Sequence, residues 1–200
     1  MSCMCGSDAN EKLLLLDAAK SRAISCRKCK LRETRTNVVF GFGNPLAEVV
    51  LVGEAPGRSE DASGLPFVGA AGKNLDRLLK AASLKRDDVY ITNAVLCRPP
   101  GNRRPTDAEI EACRGFLEET LRIIDPKIVM ALGKTAAETL LGRRVNVRSE
   151  HGSVFDVPGK KFRVVVTYHP AASIYRRELW NEMSSDFRKA AALVRASGKR

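Results

Sequence analysis

The sequence predicts an α/β protein: one three-layer α/β/α domain spanning residues 1–200, built on a central, mainly parallel sheet. Three observations predict it. Short apolar runs that read as buried strands alternate with longer segments of helical period. Three of those runs end in loops marked by Gly, Pro, Asn or His: GEAPG at 53–57, NAVLCRPP at 93–100 and YHPAAS at 168–173. Finally, 200 residues with 44% hydrophobic and 28% charged content suffice for one domain with a full core.

Residues 1–8 are small and polar and read as a frayed tail. Residues 10–25 read as a helix, with Leu13, Leu14, Leu16 and Ile24 near one face. A basic, cysteine-bearing loop follows, then a strand at 48–52. Residues 72–82 are helical, with Leu75, Leu78 and Leu79 at i, i+3 and i+4. DVYIT at 88–92 is a strand. Residues 106–124 form a helix in which Thr106 is the N-cap and Glu109 completes a capping box. A strand at 127–132 and a short helix at 135–141 come next, and Gly142 ends that helix. Strands at 153–157 and 162–167 flank a Pro-Gly turn. A helix at 179–196 closes the chain. In such sheets ligands lie beyond the carboxyl ends of the strands, so the three punctuated loops should converge on one edge.

Thirty-four Lys and Arg stand against 23 Asp and Glu, a net charge of +11. The basic residues gather at 27–35, 98–105, 142–148 and 175–177. A balance of this size points to a polyanion partner, most often nucleic acid; a solvated basic surface is the plainer alternative. No apolar run approaches the ~20 residues that span a bilayer, and no signal peptide is read at the start. A cytoplasmic protein with no membrane partner is expected.

The stretch GEAPGRSEDASGLPFVGAAG at 53–72 carries five glycines, two prolines, three acids and one phenylalanine. It does not fit the GxGxxG fingerprint. Read as a P-loop, its first glycine falls on Phe67 and its Ser/Thr on Asn74. Acids beside the ligand also disfavour a phosphate. A planar, neutral, hydrogen-bonding ligand suits the loop better. Asn93 ends a buried strand, where a carboxamide offers one acceptor and two donors in a fixed plane. That is what reading a nucleobase edge requires, although an Asn capping a turn is commoner. His169 follows the apolar strand VVVTY, and Pro170 stops that strand. A lone His is more often structural, but small residues and then Ile174, Tyr175, Arg176 and Arg177 after it favour a catalytic place.

Cys26 and Cys29 form a CxxC, and Cys97 and Cys113 lie 16 residues apart. In a cytoplasmic chain four such thiols favour zinc or an iron–sulfur cluster over disulfides. The wide second pair tilts the choice toward iron–sulfur. Cys3 and Cys5 are left as free thiols in the tail.

Taken together, GEAPG with SEDASGLPFVGAAG, TNAVLCRPPGNRRP, YHPAAS and the four spaced cysteines resemble the iron–sulfur, family-4 uracil-DNA glycosylases over about residues 24–190. Relatives with a GEQPG first motif and a KRRIH insert are not matched, since position 55 is Ala and the insert is missing. A GLAPA group does not fit either. The resemblance implies a monomeric repair enzyme that flips deoxyuridine out of double- or single-stranded DNA and hydrolyses its glycosidic bond. It further implies a nucleoid location, a sliding clamp as a further partner, and a 4Fe-4S cluster on Cys26, Cys29, Cys97 and Cys113.

It also implies roles at single positions. Gly53 and Ala55 would line the uracil site, and Phe67 would stack on the base. Asn93 would accept from N3–H and donate to O4. His169 would donate to O2 of the departing uracil anion. Better-known uracil glycosylases place an Asp after the first motif's Gln; here Glu54 holds the Gln position and Ala55 the Asp position. Glu54 is therefore the first choice to position the water. Glu60 would stand against uracil C5 and exclude thymine's methyl. Ile174, with Tyr175 behind it, would fill the vacated stack. Arg98, Arg103, Arg104, Arg176 and Arg177 would meet phosphates.

Two rivals remain at this stage. A non-catalytic, metal-stapled nucleic-acid binder explains the charge and the cysteines, but not an acidic Gly loop, a strand-end Asn and a strand-end His. An enzyme acting on free nucleotides would need few of the basic loops.

Overall fold

Four short runs, VVLVG, VYITN, IVMAL and RVVVT, are buried along almost their whole length, which β-branched side chains tolerate on a sheet covered on both faces. The structure, a computed structural model, describes residues 4–197. Its elements are α1 (Met4–Ile24), β1 (Phe42–Gly43), β2 (Val49–Gly53), α2 (Arg58–Ser63), α3 (Ala70–Ala81), β3 (Val89–Asn93), α4 (Asp107–Ile124), β4 (Ile128–Leu132), α5 (Lys134–Leu141), α6 (Val147–Glu150), β5 (Val154–Asp156), β6 (Arg163–Thr167), α7 (Ala172–Tyr175) and α8 (Leu179–Ser197). The sheet order is β1-β3-β2-β4-β6-β5. The inner four strands are parallel, and only the edge strands β1 and β5 are antiparallel.

Strand alternation divides the core into two halves. Val50, Val52, Tyr90, Val129, Ala131, Val164 and Val166 pack on the side that holds α1, α4 and α5. Val49, Leu51, Val89, Ile91, Ile128, Met130 and Val165 pack on the side of α3 and α8. This is the expected three-layer α/β/α arrangement. The α4 cap forms as its sequence implies: Glu109 N donates to Thr106 Oγ1 at 3.2 Å, and Thr106 N donates to the Glu109 carboxylate at 2.8 Å.

Three readings of the chain change. α1 begins at Met4, inside the segment read as a tail; Cys3 and the Cys5 side chain lie outside the described residues. The core face of α1 is Leu16, Ala19 and Ala23, whereas Leu13, Leu14 and Ile24 are exposed. Small residues on that face let α1 lie close against α4, and the leucines beside them turn outward. Finally, residues 58–63, read as part of a loop, form the short helix α2, and residues 172–175 form the single turn α7.

Candidate active site

From β2 the chain crosses to β3 on one side, and from β3 it returns to β4 on the other side of β2. The carboxyl end of β2 is therefore the switch point where a crevice opens. Gly53 pairs with Asn93 as the last rung between β2 and β3. The two loops that follow stay joined, with Ala94 N donating to Gly53 O at 2.9 Å and Val95 N to Glu54 O at 3.0 Å. Gly53 has no room for a side chain. A Cβ there would overlap Asn93 Oδ1 and lie 2.8 Å from the Phe67 ring. A glycine at this point is what allows Asn93 and Phe67 to share one wall.

The three acids of the loop have three different tasks. The Glu60 carboxylate accepts from Gly57 N at 3.1 Å, Val68 N at 3.0 Å and Gly69 N at 2.8 Å. It thus ties the start of α2 to the start of α3. The carboxylate expected against uracil C5 lines the cavity but is taken up by the loop's own backbone. Asp61 is buried and accepts from Thr36 N at 2.9 Å and Asn37 N at 3.2 Å, which docks α2 on the segment before β1. Glu54 lines the same cavity, with Oε2 held by a hydrogen bond from the Thr135 hydroxyl at the start of α5.

Phe67, Asn93 and His169 meet at a cavity of about 470 Å³ that Glu54, Ala55 and Glu60 also line, with Gly53 packed against Asn93 and Phe67. Asn93 is 2% exposed, and among the described residues no protein group bonds its carboxamide. Phe67 is buried at φ 52°, and its ring stacks on His169 with centroids 5.7 Å apart. His169 Nδ1 accepts from Ala171 N at 3.2 Å, so the neutral ring carries its proton on Nε2. Burial pushes the His169 pKa down to about 4, with Glu60 pulling weakly the other way. Asn74 of α3 anchors the same turn, donating to Ser173 Oγ at 3.0 Å and Pro170 O at 3.3 Å. A larger groove of about 990 Å³ runs along α1 and α4, away from all of these groups.

Comparison with known proteins agrees with this geometry. The family described as the uracil DNA glycosylase superfamily matches residues 40–194. A type-4 uracil-DNA glycosylase of Archaeoglobus fulgidus is 47% identical, over 89% of this chain and 92% of its own. A type-4 uracil-DNA glycosylase of Thermotoga maritima is 41% identical, over 92% of this chain and 97% of its own. The chain belongs to the type-4 uracil-DNA glycosylases. A type-5 uracil-DNA glycosylase of Thermus thermophilus is 37% identical over only 66% of this chain, so the type-4 likeness reaches further.

In this type-4 family member the four cysteines read as ligands line one cavity. Cys26 and Cys29 lie on the loop between α1 and the 30–33 turn, Cys97 on the loop after β3, and Cys113 within α4. Cys97 Sγ accepts from Arg35 Nη1 at 3.1 Å, and Cys113 Sγ from Leu96 N at 3.5 Å. Lys28, Arg32 and Arg35 stand around the same cavity. Burial raises both thiols, Cys113 to about 12, and the Arg35 hydrogen bond partly offsets the rise at Cys97. Among the described residues no three His, Cys, Asp or Glu side chains converge as one bare metal ion would require.

The basic loops are less available than their charge suggests. Arg103 is bidentate on Glu109, at 2.8 and 2.7 Å, and Arg104 reaches Glu138 at 2.9 Å. Arg98 holds Asn102 at 2.7 Å, and Arg176 pairs with Glu178 at 3.0 Å. Arg177 is exposed next to Ile174 and Tyr175, which are 44% and 86% exposed. Two of the expected phosphate contacts, Arg103 and Arg104, therefore brace α4 and α5.

The Arg103 hydrogen bonds, with smaller help from Thr106, hold the Glu109 pKa down at about 2. Its stabilising effect is complete above the usual carboxylate range and is lost as pH falls toward 2. Arg103→Ala should lower the melting temperature by a few degrees and shift acid unfolding to higher pH, both measurable by circular dichroism. A variant that melts like the parent would return Arg103 to the list of free cations.

Thr135, Asn74 and Arg35 were not legible as site residues. Each is joined to the sites by hydrogen bonding to a residue at least 60 positions away. The start of α5 after a strand was the one local hint at Thr135.

Proposed function

We propose that this chain excises uracil from DNA by hydrolysis, leaving free uracil and an abasic site. The observation that carries the reading is the convergence, at the switch point, of a planar carboxamide, an aromatic ring, a neutral imidazole and the carboxylate that Thr135 holds. A flipped uracil stacks on Phe67. The Asn93 amide accepts from N3–H and donates to O4, an order that cytosine reverses. As the C1′–N1 bond breaks, its electron pair passes to the base and the sugar becomes oxocarbenium-like. His169 donates Nε2–H to O2 and stabilises the resulting anion. Because the imidazole is neutral, it donates a hydrogen bond without surrendering its proton. Water adds at C1′, and Glu54, oriented by Thr135, accepts the proton released.

Ile174, with Tyr175 behind it, enters the stack that the base has left. Arg177, Arg98 and Arg176 contact phosphates, the last two after releasing their present partners. The enzyme works as a monomer on double- or single-stranded DNA in the cytoplasm, at the nucleoid, with a sliding clamp as a further partner. The test is release of free uracil from a duplex oligonucleotide containing one U·G pair, where flipping costs least. Binding without release would favour a non-catalytic nucleic-acid binder.

We assign the cysteine cavity to a 4Fe-4S cluster held by Cys26, Cys29, Cys97 and Cys113. Four cysteines lining one cavity, N–H donors on two of their sulfurs and a cationic rim suit a group whose thiolates carry net negative charge. When bound, the cluster supplies iron–thiolate bonds that tie the 26–29 loop to the loop and helix beyond Asn93. Purified protein should be brown, with about four irons per chain and labile sulfide. Cys113→Ala should lose iron and solubility before the remaining soluble protein loses chemistry. One zinc and no iron in anaerobically purified protein would reject the assignment.

A further inference from the structure

Arg86 lies outside every motif that points to the site, in the 86–88 turn that leads into β3. Its guanidinium reaches back 19 residues. One terminal nitrogen donates to Phe67 O, the other to Pro66 O at 3.3 Å, and Nε donates to Asp76 of α3 at 2.5 Å. The backbone it grips is unusual. Phe67 is left-handed at φ 52°, a conformation that a bulky residue keeps only when its surroundings impose it. The Phe67 carbonyl is also pressed onto Gly72, where a Cβ would overlap it.

The turn is thus clamped from both sides. Glu60 takes the N–H groups of Val68 and Gly69, and Arg86 takes the carbonyls of Pro66 and Phe67. The two clamps differ in what they connect. Glu60 ties the loop to itself. Arg86 ties it to the strand whose last residue is Asn93. Asn93 and Phe67 face each other across Gly53, with no space for one added carbon.

We infer that Arg86 is a positioning residue that sets the spacing between the Phe67 ring and the Asn93 carboxamide. The inference rests on the proposed stacking of uracil on Phe67. A planar, bidentate donor suits the task because its two terminal nitrogens hold two successive carbonyls in a fixed geometry, which the single rotatable nitrogen of a lysine does not impose.

The experiment is a double-mutant cycle read by single-turnover excision of uracil and by inhibition with free uracil. Arg86→Ala should slow excision and weaken free-uracil inhibition, each by about tenfold or more, because small misplacements at a reacting centre are costly. Affinity for uracil-free DNA should stay as in the parent. In a Phe67→Ala background the same change should cost less than about twofold. Arg86→Lys, which keeps the charge but loses the planar fork, should fall between and serves the cycle if Arg86→Ala does not fold. Equal losses in both backgrounds would show a general structural role and overturn the inference, as would no loss in either. If Phe67→Ala alone excises at the parental rate, stacking on Phe67 is refuted and the inference falls with it.

Discussion

Single-turnover excision by His169→Ala should be slower than the parent by about 10²–10³-fold, the usual cost of one preorganised donor at a developing anion. Binding to uracil-free duplex should be nearly unchanged, because the ring lies inside the cavity beside Phe67. The pH profile adds a second check. His169 is pushed by burial from its usual 6.5 to about 4, so the neutral donor persists well into the acid range. Excision should therefore show no loss near pH 6.5 that disappears in the alanine variant. Stability follows the same shift. Below pH 6.5 the unfolded chain takes up a proton that the folded ring refuses. The stabilising effect is full above 6.5 and is lost as pH falls through about 4. A variant with parental single-turnover rate would make His169 a structural residue.

Asn93→Asp should reduce uracil excision by on the order of 10²–10⁴ relative to the parent. The parent amide presents an oxygen to N3–H and an NH₂ to O4. An ionised Asp keeps the first contact and sets acceptor against acceptor at the second. The cost is large because Asn93 is 2% exposed at the back of the cavity, where little water can relieve the mismatch. Cytosine offers an N4 amino group that the carboxylate can accept, so slow cytosine release should appear. It should be strongest at mispaired or unpaired cytosine, where flipping costs least. Single-turnover excision of U and C from matched and mismatched duplexes measures both effects. Parental uracil rates in Asn93→Asp would mean that this side chain does not read the base.

Some of the site was plain in the chain because its cause is local. Alternation of apolar residues places Val50 and Val52 on one face of β2 and Val49 and Leu51 on the other. A strand interrupted by Pro170 must leave His169 at its end. Thr106 and Glu109 cap α4 because three residues separate them. The acids of the 53–72 loop could not be sorted in the same way. Glu54, Glu60 and Asp61 look alike in the sequence, and only the fold decides which of them face backbone N–H groups. Nothing local in the sequence pairs Arg103 and Arg104, expected at phosphates, with Glu109 and Glu138, which the fold brings to them. Leu13 and Leu14 fit an apolar face by period, but α1 needed small residues against α4, so Ala19 and Ala23 turned inward.

By itself, then, the sequence determined the order of the five longer strands and the longer helices between them, which loops share an edge, and that Asn93 and His169 stand on it, but not the two-residue edge strand β1. These follow from backbone sterics and from side-chain periods of two and 3.6, which act over a few residues. Tertiary structure alone decided the partners. Thr135 meets Glu54 across 81 positions, Arg35 meets Cys97 across 62, and Arg86 meets Phe67 across 19. A charged or polar side chain pairs with whatever the packed core brings within about 3 Å of it, and no local pattern records that approach.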